Sequence, residues 1–315
     1  MSTEAHLSFA CFGGTAAIHV RGEDAENGAA AARAARDLLL DAHDRLSRFL
    51  PDSELSRLNR DPRAEVPASP LLRELAAAVG KAGETSGGLV DATLLGQIER
   101  AGYRESLPAP GSISLRDALA SRCHRLPARP SPAAEWRSVR VDAAAGTISR
   151  PPGVGIDSGG LAKGLLADLA AAGLARSRSF AVDCCGDIRL GGCGGQERAV
   201  LVEDPFGGEA LHELRLREGA VATSGIGRRC WVGEFGEIVH HMLDPSSGEP
   251  AFTGLVQVTA LAPTALLAET YAKAALLAGP AAAPEWLPYG GVLVRDAGEV
   301  EVHSADTLPR VEARA

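Results

Sequence analysis

The sequence predicts an α+β protein, with mixed or antiparallel sheets packed on a few long helices. Two helix-like runs, Ala25–Phe49 and Thr264–Ala278, stand far apart in the chain. The stretches "RAVLVEDP", "HELRLREGAVATSG" and "GLVQVTALAP" alternate apolar and polar residues as antiparallel strands do. Strand and helix signals do not alternate regularly, which argues against a doubly wound parallel sheet. Each half carries a strand followed by a long helix, which admits an internal duplication, and no repeat of short period is visible.

In chain order, Leu7–Val20 reads as a strand interrupted by Gly13-Gly14. The run Ala25–Phe49 sets Leu38, Leu39, Ala42 and Leu46 on one stripe, with Arg, Asp and His opposite. Asp52 or Ser53 can cap the short helical turn that follows. Ser69 can cap a helix over Leu71–Ala82, which Gly83–Gly88 ends. "GYRESLPAPGSISLRDALA" reads as a polar loop entering a short helix, and proline-rich Pro127–Pro152 holds strand candidates at Ser138–Val141 and Gly146–Ile148. Val154 and Ile156 look like the tail of a strand; Leu161, Leu165, Leu169 and Ala172 mark a helix that stops at Gly173. "FAVDCCGDIRLGG" reads as a strand running into a glycine-rich turn, and "GGVLVRDAGEVEVH" as a closing hairpin. Residues 1–304 are taken as one domain and 305–315 as a loosely held tail.

Composition narrows the function. A formal net charge of −8 argues against a nucleic-acid surface. No stretch approaches the roughly 18 uncharged apolar residues of a membrane span. The opening "MSTEAHLSFACFGGTAAIHV" lacks the basic and apolar regions of a signal peptide, so a cytoplasmic location is expected. Aromatic residues make up only 4%, so the core must be built from Ala, Leu and Val. The six cysteines form no C-x-x-C pair and read as small buried hydrophobes rather than as disulfides or metal ligands.

The most informative segment is "GVGIDSGGLAKGLLADLAAAGL", Gly153 to Leu174. A glycine-rich turn at a helix start offers free backbone N–H groups at the positive end of the helix dipole, and Lys163 adds a full charge. That combination suits a phosphate. It is neither a P-loop, lacking G-K-[ST], nor a dinucleotide fingerprint; a turn that needs glycine only for its geometry is the alternative. Other polar clusters also fall in glycine-rich turns: Asp91 and Thr93 in "SGGLVDAT", Asp187 in "CCGDIR", Thr223 and Ser224 in "VATSGIGRR", and His240, His241 and Asp244 in "HHMLDPSSGEP". Individually these are ordinary turn residues. No G-x-S-x-G elbow surrounds Ser224, so a serine hydrolase lacks its hallmark here.

Taken in order, "SRFLPDSELSRLN", "SGGLVDAT", "DSGGLAKGLLAD", "CGDIRLGG", "VATSG" and "HHMLDPSSGEP" resemble the successive motifs of the ApbE-type FAD:protein FMN transferases, from about Phe9 to Gly279. The resemblance implies an ApbE-like fold that binds FAD and, with Mg²⁺, transfers FMN to a Thr or Ser hydroxyl of an acceptor flavoprotein, releasing AMP. With water as acceptor the same site would be an FAD pyrophosphatase; a catalytically weak version would only bind flavin. It further implies that Asp157 and Lys163 hold the nucleotide, with Leu89, Val90, Asp91 and Phe49 against FAD. Gly13 or Gly14 would lie at the flavin edge, Thr223 and Ser224 on the cofactor side, and His241 would be the base toward the acceptor hydroxyl. Gly160 matches a metal ligand through its carbonyl.

The metal positions depart from the family pattern. Where A-D-x-x-A-T is usual, this chain has "AETYAK", so Glu269 stands for the Asp and Lys273 for the Thr. Lys273 matches by position only, because an ammonium has donors and no lone pair. The expectation is that its charge stands in the metal's place; the other outcome is a Glu269–Lys273 pair on one helix face. Phe49 for Tyr, Val90 for Phe, Cys185 for Gly and Ala92 for Pro are milder departures.

Overall fold

The structure, a computed structural model, describes residues 4–105, 113–121, 124–233 and 236–304. The expected tail at 305–315, part of the loop before the short helix, and Cys123 lie outside them. The chain builds an eight-stranded sheet in which spatial order follows chain order. Its strands are β1 (Ala5–Cys11), β2 (Gly14–Arg21), β3 (Ser179–Cys184), β4 (Asp187–Gly191), β5 (Gly219–Gly225), β6 (Leu255–Ala262), β7 (Gly291–Arg295) and β8 (Val300–His303). Every neighbouring pair is antiparallel. The α+β expectation therefore holds, while the strand order does not by itself establish an internal duplication. Among the described residues no helix is long and apolar enough to cross a membrane.

Three helices pack on this sheet: α1 (Ala25–Leu46), α3 (Ala162–Ala172) and α4 (Ala265–Ala278); a fourth, α2 (Pro70–Thr85), packs against them. Asp24 caps α1 by accepting from Asn27 N, and the buried stripe Ala32, Ala35, Leu39, Ala42 and Leu46 faces the core. Ser69 caps α2, with Pro70 in the first turn. Helix α4 is buried on all sides and has two caps. Thr264 accepts from Leu267 N, and Asp168 of α3 accepts from Ala265 N and Leu266 N at 2.8 and 3.0 Å. Asp168, a polar interruption in the sequence of α3, is thus what ties α3 to the start of α4.

Four details differ from expectation, each for a local reason. Val154–Ile156 is not a strand; Asn59 takes the place of a ladder, accepting from Ile156 N at 2.8 Å and donating to Ile156 O at 2.9 Å. Helix α1 stops at Leu46, because Ser47 is extended, and Phe49 is thereby released into the turn that follows. "FAVDCCGDIRLGG" is the hairpin β3–β4, with Cys185 at φ 59° and Gly186 at φ 96° as its two-residue turn. "HELRLREGAVATSG" is two strands: His212–Leu216 pairs with Arg198–Val202 in a separate ribbon, and Gly219 at φ 119° starts β5.

Helix α2 ends at Thr85, within the expected Gly83–Gly88 stretch, with Gly87 and Gly88 at positive φ, and the Trp136 indole packs directly on Gly83. A Cβ at Gly83 would sit 2.3 Å from Trp136 Cδ2. Gly83→Ala is expected to displace the indole and cost about 1–3 kcal/mol, read as a lower urea midpoint at unchanged slope.

Candidate functional site

A cavity of about 440 Å³ opens where the β1–β2 hairpin tip, the turn after α1, the segment after α2, the Asp157–Gly160 turn and the start of α3 converge with α4 and the His241 loop. Its size falls within the usual range for small-molecule sites. Ten of the sequence-derived positions line it: Gly13, Phe49, Leu89, Val90, Asp91, Asp157, Gly160, Lys163, His241 and Lys273. Gly14, Thr223, Ser224 and Glu269 do not. Gly14 opens β2 against Cys185, Thr223 shares a hydroxyl bond of 2.9 Å with Thr259 of β6, Ser224 is buried in β5, and Glu269 lies beneath the floor.

One wall is aromatic and apolar. Phe49 and Tyr103 meet at 5.4 Å between ring centroids, and Trp231 packs behind Tyr103 at 5.3 Å. Leu89, Val90, Leu94 and Met242 extend that surface. Arg48 lies against it, its guanidinium 4.2 Å from the Phe49 ring centroid and 4.6 Å from that of Tyr103. Its Nε meets Asp157 Oδ1 at 3.0 Å and its Nη1 donates to Tyr103 O at 2.8 Å, while Nη2 is buried with no partner. Asp157 also accepts from Gly159 N at 3.0 Å, which shapes the turn. Asp91 is held by Thr93, whose N and Oγ1 donate to Oδ1 at 2.8 and 2.5 Å, and burial raises the Asp91 carboxyl.

The floor is a buried charge quartet. Lys163 Nζ donates to Asp187 Oδ2 at 2.6 Å and lies 3.9 Å from Glu269 Oε1. Lys273 Nζ donates to the same Glu269 Oε1 at 2.6 Å, and Gly164 N donates to Oε2 at 2.9 Å. Burial opposes the charge on Lys163, but Asp187 and Glu269 outweigh it and hold its pKa above the usual lysine value. Burial likewise opposes the Glu269 charge, and Lys273 with Lys163 holds it below the ordinary range. Asp187 is pushed up to about 7 by burial against the pull of Lys163.

The Glu269–Lys273 pair is thus formed, yet the lysine keeps its place on the cavity wall. Among the described residues the cavity is bordered by Arg48, Lys163, Arg228, Arg229 and Lys273 and by Asp91 and Asp157, with Asp187 and Glu269 beneath the lysines and Glu203 on Arg228. Lysine and arginine donors bordering an aromatic wall fit a ligand with both a planar ring and a polyphosphate.

The donor set does not suit a divalent cation. Mg²⁺ requires hard oxygen ligands, but the Lys273 ammonium stands 2.6 Å from Glu269 Oε1, where it repels a dication and offers no lone pair. Among the described residues no group of three His, Cys, Asp or Glu side chains could hold a metal ion.

His241 is half-buried and lines the same cavity, and its Nδ1 is buried without a partner. Burial, reinforced by Arg229, drives its pKa well below the ordinary histidine value, so the ring is neutral near pH 7. Arg48 and Tyr103 are the site residues that sequence reasoning did not single out. Arg48 stands inside the quoted "SRFLPDSELSRLN", beside Phe49, so adjacency to an aromatic site position was a usable signal. Nothing in the local sequence marked Tyr103.

Over 248 residues the chain is 26% identical to the FAD:protein FMN transferase of Haemophilus influenzae, covering 74% of this chain and 68% of that protein. It is 29% identical over 198 residues to the FAD:protein FMN transferase of Rhodobacter capsulatus, spanning 62% of this chain but only 36% of that longer protein. The crystal structure of the ApbE protein from Thermotoga maritima superposes with a TM-score of 0.76 at 25% identity, covering 96% of this chain and 97% of that one. The ApbE family profile matches residues 1–293, and the chain belongs to the ApbE family.

Proposed function

We propose that this chain is an FAD:protein FMN transferase that binds FAD in the cavity and moves FMN to a Thr or Ser hydroxyl of an acceptor flavoprotein, releasing AMP. The observation that carries this reading is the division of the cavity into an aromatic wall at Phe49 and Tyr103 and a cationic floor at Lys163 and Lys273. A flavin fits the first and a pyrophosphate the second. In the transfer, the acceptor oxygen forms a bond to the phosphorus on the FMN side. The bond from that phosphorus to the bridging oxygen breaks, and AMP leaves with the electron pair. The hydroxyl proton passes to neutral His241, and the ammonium groups stabilise charge on the phosphoryl oxygens. The Asp157–Arg48 pair fixes the turn that carries Ser158–Gly160 against the ligand. Mg²⁺ is given no step, because the donor set does not suit it.

The free thiols of the described cysteines accord with a reducing compartment, and we place the protein in the cytoplasm. The test is to incubate purified protein with FAD, with and without a candidate acceptor protein, and to separate FAD, FMN and AMP. AMP is expected only with acceptor, equimolar with protein-bound flavin. Free FMN and AMP forming equally fast without acceptor would instead make this a pyrophosphatase; no product at all would make it a flavin-binding protein.

A further inference from the structure

We propose that Lys273, backed by Lys163, is the resident cation of this site, so that the pyrophosphate of FAD is bound and neutralised without a divalent metal. This rests on the FAD reading above and adds to it the identity of the group that meets the phosphates.

Three observations converge. First, Glu269 and Asp187 each already hold an ammonium, although Asp187 Oδ1 is buried without a partner. Glu269 Oε1 accepts from Lys273 at 2.6 Å, Oε2 accepts from Gly164 N at 2.9 Å, and Asp187 Oδ2 accepts from Lys163 at 2.6 Å. A dication held by Glu269 would sit beside the Lys273 ammonium and be repelled by it at short range. Second, each ammonium carries three donors, and Lys273 uses one on Glu269. Both lysine side chains border the cavity, at 11% and 17% exposure for Lys273 and Lys163, so among the described residues the spare N–H groups are left to a ligand or water. Third, the lysines are held in place: Glu269 lies at the helix-packing seam, where a Cβ on Gly164 would meet Glu269 Oε2 at 2.9 Å and Ala265 O at 2.6 Å. A fixed ammonium over a rigid carboxylate is a preorganised anion site, and it needs no ion from solution.

The experiment is an FAD titration of chelator-treated protein, followed by flavin fluorescence, in EDTA and in excess Mg²⁺, for the unmodified chain and for Lys273→Thr. The unmodified chain is expected to bind FAD with a Kd that differs by no more than about threefold between the two conditions. Lys273→Thr, which removes the ammonium from Glu269 Oε1 and adds a hydroxyl ligand, should bind about tenfold or more weakly in EDTA and recover in Mg²⁺. FAD binding by the unmodified chain that vanishes in EDTA and returns with Mg²⁺ overturns the proposal. So does Lys273→Thr binding like the unmodified chain in EDTA. Failure to bind FAD under either condition overturns the FAD reading itself, and this proposal with it.

Discussion

Replacing Lys163 with alanine is expected to weaken FAD binding by about ten- to a hundredfold while leaving riboflavin binding within a few-fold of the unmodified chain. Lys163 lines the cavity floor and is bonded to Asp187 and near Glu269, so its charge is held in place rather than swinging in solvent. Riboflavin carries the ring but no phosphate, and it should depend on the Phe49–Tyr103 wall instead. Removing one partner of a buried pair also leaves carboxylates uncompensated, so a thermal melt of the variant belongs beside the titration. Equal losses for the two ligands in a variant that melts normally would remove Lys163 from phosphate binding.

His241→Ala is expected to lower FMN transfer by roughly 10²–10⁴, the range of a general base, with FAD affinity changed far less. The half-buried ring lines the cavity, and its Nδ1 has no protein partner. A base acts unprotonated, and burial with Arg229 holds the folded-state pKa well below the ordinary value. Activity should therefore persist as pH falls through about 6.5 and decline only at lower pH, where the ring takes a proton. A rate that halves near pH 6.5, or a variant with normal turnover and weaker FAD binding, would assign His241 to another role.

Features set by neighbours in sequence were readable before the fold was known. Leu39, Ala42 and Leu46 of the α1 stripe, the cap at Ser69 and the strand alternation follow from local chemistry, whereas Leu38, read onto the same stripe, is exposed. So does the Glu269–Lys273 pair, because four residues span one helical turn. What escaped depends on distant segments. Lys163 meets Asp187 across a helix-to-sheet contact, and Arg48 meets Asp157 and Tyr103 from three parts of the chain. Asn59 satisfies the backbone of Ile156, which no periodicity could announce. Gly83 packs against Trp136, which lies far along the chain and which no local signal could announce. The Asp157–Lys163 turn was legible as a phosphate-binding candidate from its glycines and its lysine alone. The aromatic half of the cavity was legible only at Phe49.

The central claim is group transfer to a protein, and the mass of an acceptor tests it most directly. The purified chain would be incubated with FAD and a cell extract, and proteins carrying acid-stable flavin fluorescence after denaturation would be digested for mass spectrometry. The account predicts a peptide heavier by one FMN less one water, on a Thr or Ser, with AMP released in equal amount. FAD consumed while every protein stays unmodified would contradict it.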